Sequence, residues 1–139
     1  MYIDVITLYN RYNGIWHGKV LRGVDLNADR GAIVAKYGSD SKDTAKLHIK
    51  YTNEIDGVHV GSYRYVLPMN YTGDAGTLTI SYGNDFTFFV DGDTQIYEAD
   101  DTSFVDGFYD WMNRTHDRCY AVTSVARYSV IPHFEVLAR

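Results

Sequence analysis

Ala45-Lys46-Leu47-His48-Ile49-Lys50-Tyr51 decides the fold class, because it alternates without a break. Ala45, Leu47, Ile49 and Tyr51 fall on one side of an extended chain, and Lys46, His48 and Lys50 on the other. A period of two with one apolar and one charged face marks a strand of an antiparallel sheet that is wet on one side.

Outward from this strand the chain keeps the same character. Runs are short, and Gly, Asn and Asp punctuate them densely. Towards the N-terminus, Tyr2–Tyr9 and Ile15–Val24 flank Asn13-Gly14, a hairpin signal because both positions tolerate positive φ. Ala32–Tyr37 reads as a short third run, and the polar stretch Gly38–Thr44 as a mobile loop. Towards the C-terminus, Val58–Leu67 reads as an aromatic strand ended by Pro68. Thr77–Tyr82 and Asp85–Val90 read as a second hairpin across Gly83-Asn84, with Thr94–Glu98 as a brief return strand after Asp91-Gly92-Asp93. Cys119–Val125 and Pro132–Ala138 close the series.

One segment carries helical spacing. Phe104, Phe108, Trp111 and Met112 recur on one face before Arg114, with Asp101 or Thr102 as N-cap and Gly107 inside the helix. The acidic residues Asp100, Asp101 and Asp106 suit the positive end of its dipole. The expected architecture is mainly β: a small antiparallel β-barrel or sandwich of about eight strands, with one short helix near residues 101–114. Residues 1–139 form a single domain, a length that needs neither metal nor disulfide to fold.

Composition narrows the partners. The 13 Tyr, 6 Phe and 2 Trp suit half-buried pleated surfaces and interfaces, where a side chain is apolar at one end and wet at the other. A net charge of −5 disfavours a general nucleic-acid binder, which needs a basic field against phosphates. The single cysteine, Cys119, excludes an intrachain disulfide. No stretch approaches the roughly 18 apolar residues of a membrane span, and the N-terminus lacks the pattern of a signal peptide. The expectation is a soluble chain made in the cytoplasm.

Candidate chemistry meets structural explanations at each point. His17, His48, His59, His116 and His133 show no H-x-x-x-H or H-E-x-x-H spacing. His48 stands between two lysines whose charge would repel a cation, so no metal and no cofactor is expected. Asp91-Gly92-Asp93 is too short for a calcium loop. Ser124 and His133 lack the glycines of a nucleophile elbow. His116, Asp117 and Cys119 are the nearest approach to a catalytic grouping, but Cys119 opens an apolar strand. The sequence does not read as that of an enzyme.

Two terminal stretches carry a resemblance. Ile6-Thr7-Leu8-Tyr9-Asn10, then Trp16 and Val20-Leu21-Arg22-Gly23-Val24, resembles the opening of small structural proteins of bacteriophages and prophages. Tyr120-Ala121-Val122-Thr123-Ser124-Val125, then His133-Phe134-Glu135-Val136, resembles their ending, about a quarter of the chain in all. The layout is similar to that of head-closure, or stopper, proteins of the head–tail connector. The resemblance implies a virion subunit that forms a homo-oligomeric ring with portal, adaptor and tail proteins and helps retain packaged DNA, with no membrane contact. Residues expected to face a partner or channel DNA are Ser39, Asp40 and Lys42 in the loop, and Lys46, Lys50 and Tyr51 on the strand beside it. A solvated strand face is the simpler account of the lysines. A competing expectation is a small phage-encoded inhibitor that binds a host defence protein, a role that acidic β proteins fill by charge.

Overall fold

Asn13 and Gly14 both take positive φ, at 51° and 77°, and fold the first two strands back on each other. The computed structural model describes residues 2–28 and 44–139. Strand β1 (Asp4–Tyr12) pairs antiparallel with β2 (Ile15–Ala28) around that turn. On its other edge β1 pairs with β8 (Phe88–Asp91), and β8 pairs with β10 (Cys119–Tyr128). From β10 the order continues through β11 (His133–Ala138) to β3 (Ala45–Lys50). Strand β3 then meets the far end of β2, which closes a six-stranded antiparallel barrel. A short strand β9 (Glu98–Asp100) lies along Ile15–His17 of β2 as an addition to the ring. Of the expected barrel or sandwich, the described residues form the small β-barrel, with one α-helix among them.

Two of the six strands bend where they pass from one neighbour to the next. Up to Val24, β2 follows β1; from Asp25 to Ala28 it follows β3. The change falls at a register shift opposite Asp4 and Val5, where Gly23 takes φ +69°. A bulge that places glycine in the left-handed region bends a strand and increases its twist. Strand β10 also bends, pairing with β8 from Cys119 to Ala121 and with β11 from Val122 onward, across a register shift between Val122 and Ser124.

The barrel interior is filled by Ile6, Leu8, Leu21, Leu47, Ile49, Phe89, Val122, Phe134 and Val136. The outer face of β1, β8 and β10 is buried too. There Tyr9, Trp16, Phe88 and Cys119 pack beneath helix α1 (Phe108–Thr115), which contributes Phe108 and Met112. This double burial explains why Ile6–Asn10 is buried at every position, where a half-wet strand would alternate.

The helix starts later than its sequence pattern implies. Gly107 stands just before its first turn with φ +93° and not inside it. Asp101 lies in a separate 3-10 turn, Asp101–Ser103, and caps the helix through space. Its Oδ1 accepts the Phe108 backbone N–H at 2.8 Å and the Trp16 indole N–H at 2.9 Å, while Arg11 approaches Oδ2 at 3.5 Å. One carboxylate thus ties the helix, β1 and β2 together.

Three other expectations change. The Val58–Leu67 run is a hairpin, β5 (Gly57–Val60) and β6 (Tyr63–Tyr65), because Gly61 at φ +59° turns the chain. With β4 (Thr52–Glu54) and β7 (Thr77–Leu78) these strands form a second small sheet, in which β7 runs parallel to β6. Gly83-Asn84 opens a 3-10 turn, Gly83–Asp85, and joins no hairpin, since β7 and β8 belong to different sheets. The return strand after Asp93 begins only at Glu98 and pairs with β2. Ala32–Tyr37 and residues 38–43 of the polar stretch lie outside the described residues. No described helix is long and apolar enough to cross a membrane.

Burial raises the Asp101 carboxyl, but the Phe108 N–H, the Trp16 indole and Arg11 outweigh it and leave it below its ordinary value of 3.8. Its stabilising contribution is therefore complete above that value and is lost as the pH falls through the lower folded one. Asp101→Ala is expected to cost about 2–4 kcal/mol, as a lost cap plus lost charged hydrogen bonds. Chemical denaturation at neutral pH checks this, and the deficit should shrink on acidification.

Candidate functional site

The outward face of β3 carries Lys46, His48 and Lys50, as the alternation requires. Lys46 Nζ lies 3.7 Å from Glu135 Oε1 on β11. Lys50 Nζ sits 4.3 Å from the ring centroid of Tyr2. Between them, His48 Nε2 is 3.4 Å from Glu135 Oε2 and His48 Nδ1 is 3.7 Å from Asp25 Oδ2 on β2. The two lysines are thus held by other groups, one by a carboxylate and one by an aromatic ring. His133 joins the same face, its ring 5.7 Å from that of His48 and stacked on Tyr128 at 4.9 Å.

Tyr51, expected to face a partner, is turned inward at 4% exposure. Its hydroxyl donates to the Tyr128 carbonyl at 2.8 Å, and its ring packs on Phe134. Tyr51 continues the apolar side of the strand, so the alternation itself puts it in the core. Ser39, Asp40 and Lys42 lie outside the described residues.

At one end of this face, beside Lys50, the β10–β11 hairpin turns. Its end exposes Tyr128, Val130 and Ile131, with Val130 at 95%. Ile55, at the β4–β5 turn, is fully exposed as well. Tyr65, Pro68, Ile80, Tyr82 and Val125, with Ser81, Asn84 and Asp85, line an open groove of about 490 Å³, next to exposed Leu67 and Met69.

A polar cleft of about 510 Å³ lies at the far end of β1, lined by Asn10, Arg11, Tyr71, Thr79, Ser81 and Asp85. Asn10 acts there as an extra rung of backbone. Its Nδ2 donates to the Thr79 carbonyl at 2.7 Å and to Thr87 Oγ1 at 2.9 Å, and its Oδ1 accepts the Thr79 N–H at 3.1 Å. The hydroxyls of Tyr71 and Thr79 are buried without a protein hydrogen-bond partner, and burial pushes the Tyr71 phenol up to about 12. Nearby, Lys19 is 5% exposed between the rings of Tyr63 and Tyr71, at 6.0 and 5.8 Å. Burial lowers its ammonium below the ordinary value, partly opposed by Asp74.

Cys119 is fully buried beneath α1, whereas His116 caps the helix end and its Nδ1 lies 2.9 Å from Thr115 Oγ1.

Residues 1–139 match a family described as "Family of unknown function (DUF6751)". The chain belongs to this family. No curated protein and no solved structure matches it.

Sequence reading placed Lys46 and Lys50 on the outer face but missed Asp25, His133 and Glu135 beside them. His133-x-Glu135 is itself a period-two pair, so the two residues share a strand face. What the sequence alone does not supply is the register that sets Glu135 opposite His48. For the polar cleft, Asn10→Ala is expected to destabilise the fold by about 2–4 kcal/mol, because it strands buried partners on Thr79 and Thr87. Urea unfolding of the variant measures this.

Proposed function

We propose that this chain is a phage head–tail connector subunit of the head-closure type, working in the virion by protein–protein contact in a homo-oligomeric ring. The resemblance of the two terminal stretches suggests the class. The observation that carries the reading is the apolar end of the β10–β11 hairpin, where Tyr128, Val130 and Ile131 stand in solvent together. Clustered exposed apolar side chains mark surfaces that a partner covers.

A ring is built by head-to-tail contacts, so every subunit needs two different complementary surfaces. The exposed hairpin end supplies a knob. The groove of Tyr65, Pro68, Ile80, Tyr82 and Val125, edged by Ser81, Asn84 and Asp85, supplies a recess. In this reading the hairpin end of one copy seats in the groove of the next. Portal, adaptor and tail proteins bound the ring above and below, and Lys46 and Lys50, on the strand face beside the hairpin, would exchange Glu135 and Tyr2 for the phosphates of packaged DNA.

Native mass spectrometry of the purified chain, alone and with its phage portal and tail partners, tests the reading. Rings are expected from the natural sequence, and Val130→Asp with Ile131→Asp should leave a folded monomer. Rings that persist in the double variant, or capture of a host defence protein in place of virion proteins, would overturn it.

A further inference from the structure

We propose that His48, His133 and Glu135 form a binding site for one divalent first-row transition-metal ion of the Zn2+ class. This inference stands apart from the assembly reading and needs no second copy of the chain. The donors come from two neighbouring strands. His133 and Glu135 are two residues apart on β11, and the β3–β11 register sets His48 directly opposite Glu135. Because β3 is held between β11 and β2, the backbone under the site is fixed on both sides.

The orientation of the imidazoles points to a cation. His133 Nδ1 donates to the Ile131 carbonyl at 2.7 Å, which leaves the lone pair on Nε2. His48 turns its Nδ1 towards Asp25 Oδ2 and its Nε2 towards Glu135 Oε2. Metal-bound histidines almost always engage their second nitrogen with a carboxylate or backbone carbonyl in this way. Glu135 divides its oxygens similarly, with Oε1 towards Lys46 and Oε2 towards His48.

Distances agree with the chemistry. Zinc bonds of about 2.0–2.2 Å in a tetrahedron place donor atoms roughly 3.3–3.6 Å apart. His48 Nε2 and Glu135 Oε2 are 3.4 Å apart, and donor atoms of all three residues lie within 4.8 Å of one another. With neutral histidines, the charges of Asp25 and Glu135 exceed that of Lys46 by one, while Lys50 is drawn aside to Tyr2.

Two imidazoles and one carboxylate select zinc-like ions over Mg2+ or Ca2+, which prefer oxygen. Three protein donors leave a fourth position on the solvent side for water or a partner's side chain. His133 also stacks on Tyr128, so an ion here would brace the base of the exposed hairpin.

Titration calorimetry of the untagged full chain with Zn2+, together with the visible spectrum of its Co2+ form, tests the site. One ion per chain and a tetrahedral Co2+ spectrum are expected. His48→Ala, His133→Ala and Glu135→Gln should each weaken binding at least tenfold. His59→Ala, whose ring pairs with Asp56 on another sheet, should leave it unchanged. Metal-free thermal unfolding of each variant reports whether it folds. Nitrogen-15 imidazole shifts of the natural chain give a reading that depends on no variant, and His48 and His133 should both move on addition of Zn2+. No uptake by the natural chain, uptake that survives loss of either histidine in a folded variant, or unmoved imidazole shifts would overturn the proposal.

Discussion

Closure of the barrel is the constraint on which the rest of the structure depends, and it turns on the bend in β2. The bulge at Gly23 bends β2 where β1 begins, and residues 25–28 run on beyond Asp4 to pair with β3. Only then does β3 lie between β2 and β11, with Asp25, His48 and Glu135 side by side across three strands. The corner in β10 does the complementary task, carrying the sheet from β8 round to β11. Full closure also removes the open edges that make small sheets prone to unwanted pairing.

A second layer depends on the first. Because β1, β8 and β10 wrap a filled interior, their outer face is rigid enough to carry a separate aromatic cluster beneath α1. Trp16, Phe86, Phe88 and Tyr109 pack there with ring centroids 4.9–6.4 Å apart. An eight-residue helix gains little from its own hydrogen bonds in water, and its stability comes from packing. Asp101 links the two layers, because the oxygen that caps the helix also accepts the Trp16 indole N–H from β2.

The local features of this fold were legible in the sequence, and the non-local ones were not. Alternation from Ala45 to Tyr51 fixed both faces of β3, and Asn13-Gly14 fixed the first hairpin, since each is decided by neighbouring residues. Phe108 and Met112 marked the buried side of the helix, while its start was misread because Asp101 caps it across a gap in the chain. Gly83-Asn84 has hairpin chemistry, but the strands around it are claimed by different sheets. The same limit governs the site. Lys46 and Lys50 were visible on a charged strand face. Their neighbours His133 and Glu135 arrive from the other end of the chain through β11, so His48 looked like a histidine isolated between cations. Tyr51 went astray for a different reason, as its aromatic identity suggested an interface while its place in the alternation assigned it to the core.

The histidine–carboxylate face and the hairpin beside it both rest on β3 being locked into a closed ring. Native-state hydrogen exchange of the ladder amides tests that most directly. The account predicts that the amides of β1, β2, β3, β8, β10 and β11 share one opening free energy equal to that of global unfolding, while β4, β5 and β6 open more easily. Exchange of β3 and residues 25–28 of β2 well before β1 and β8 would contradict it, because the barrel would then be an open sheet.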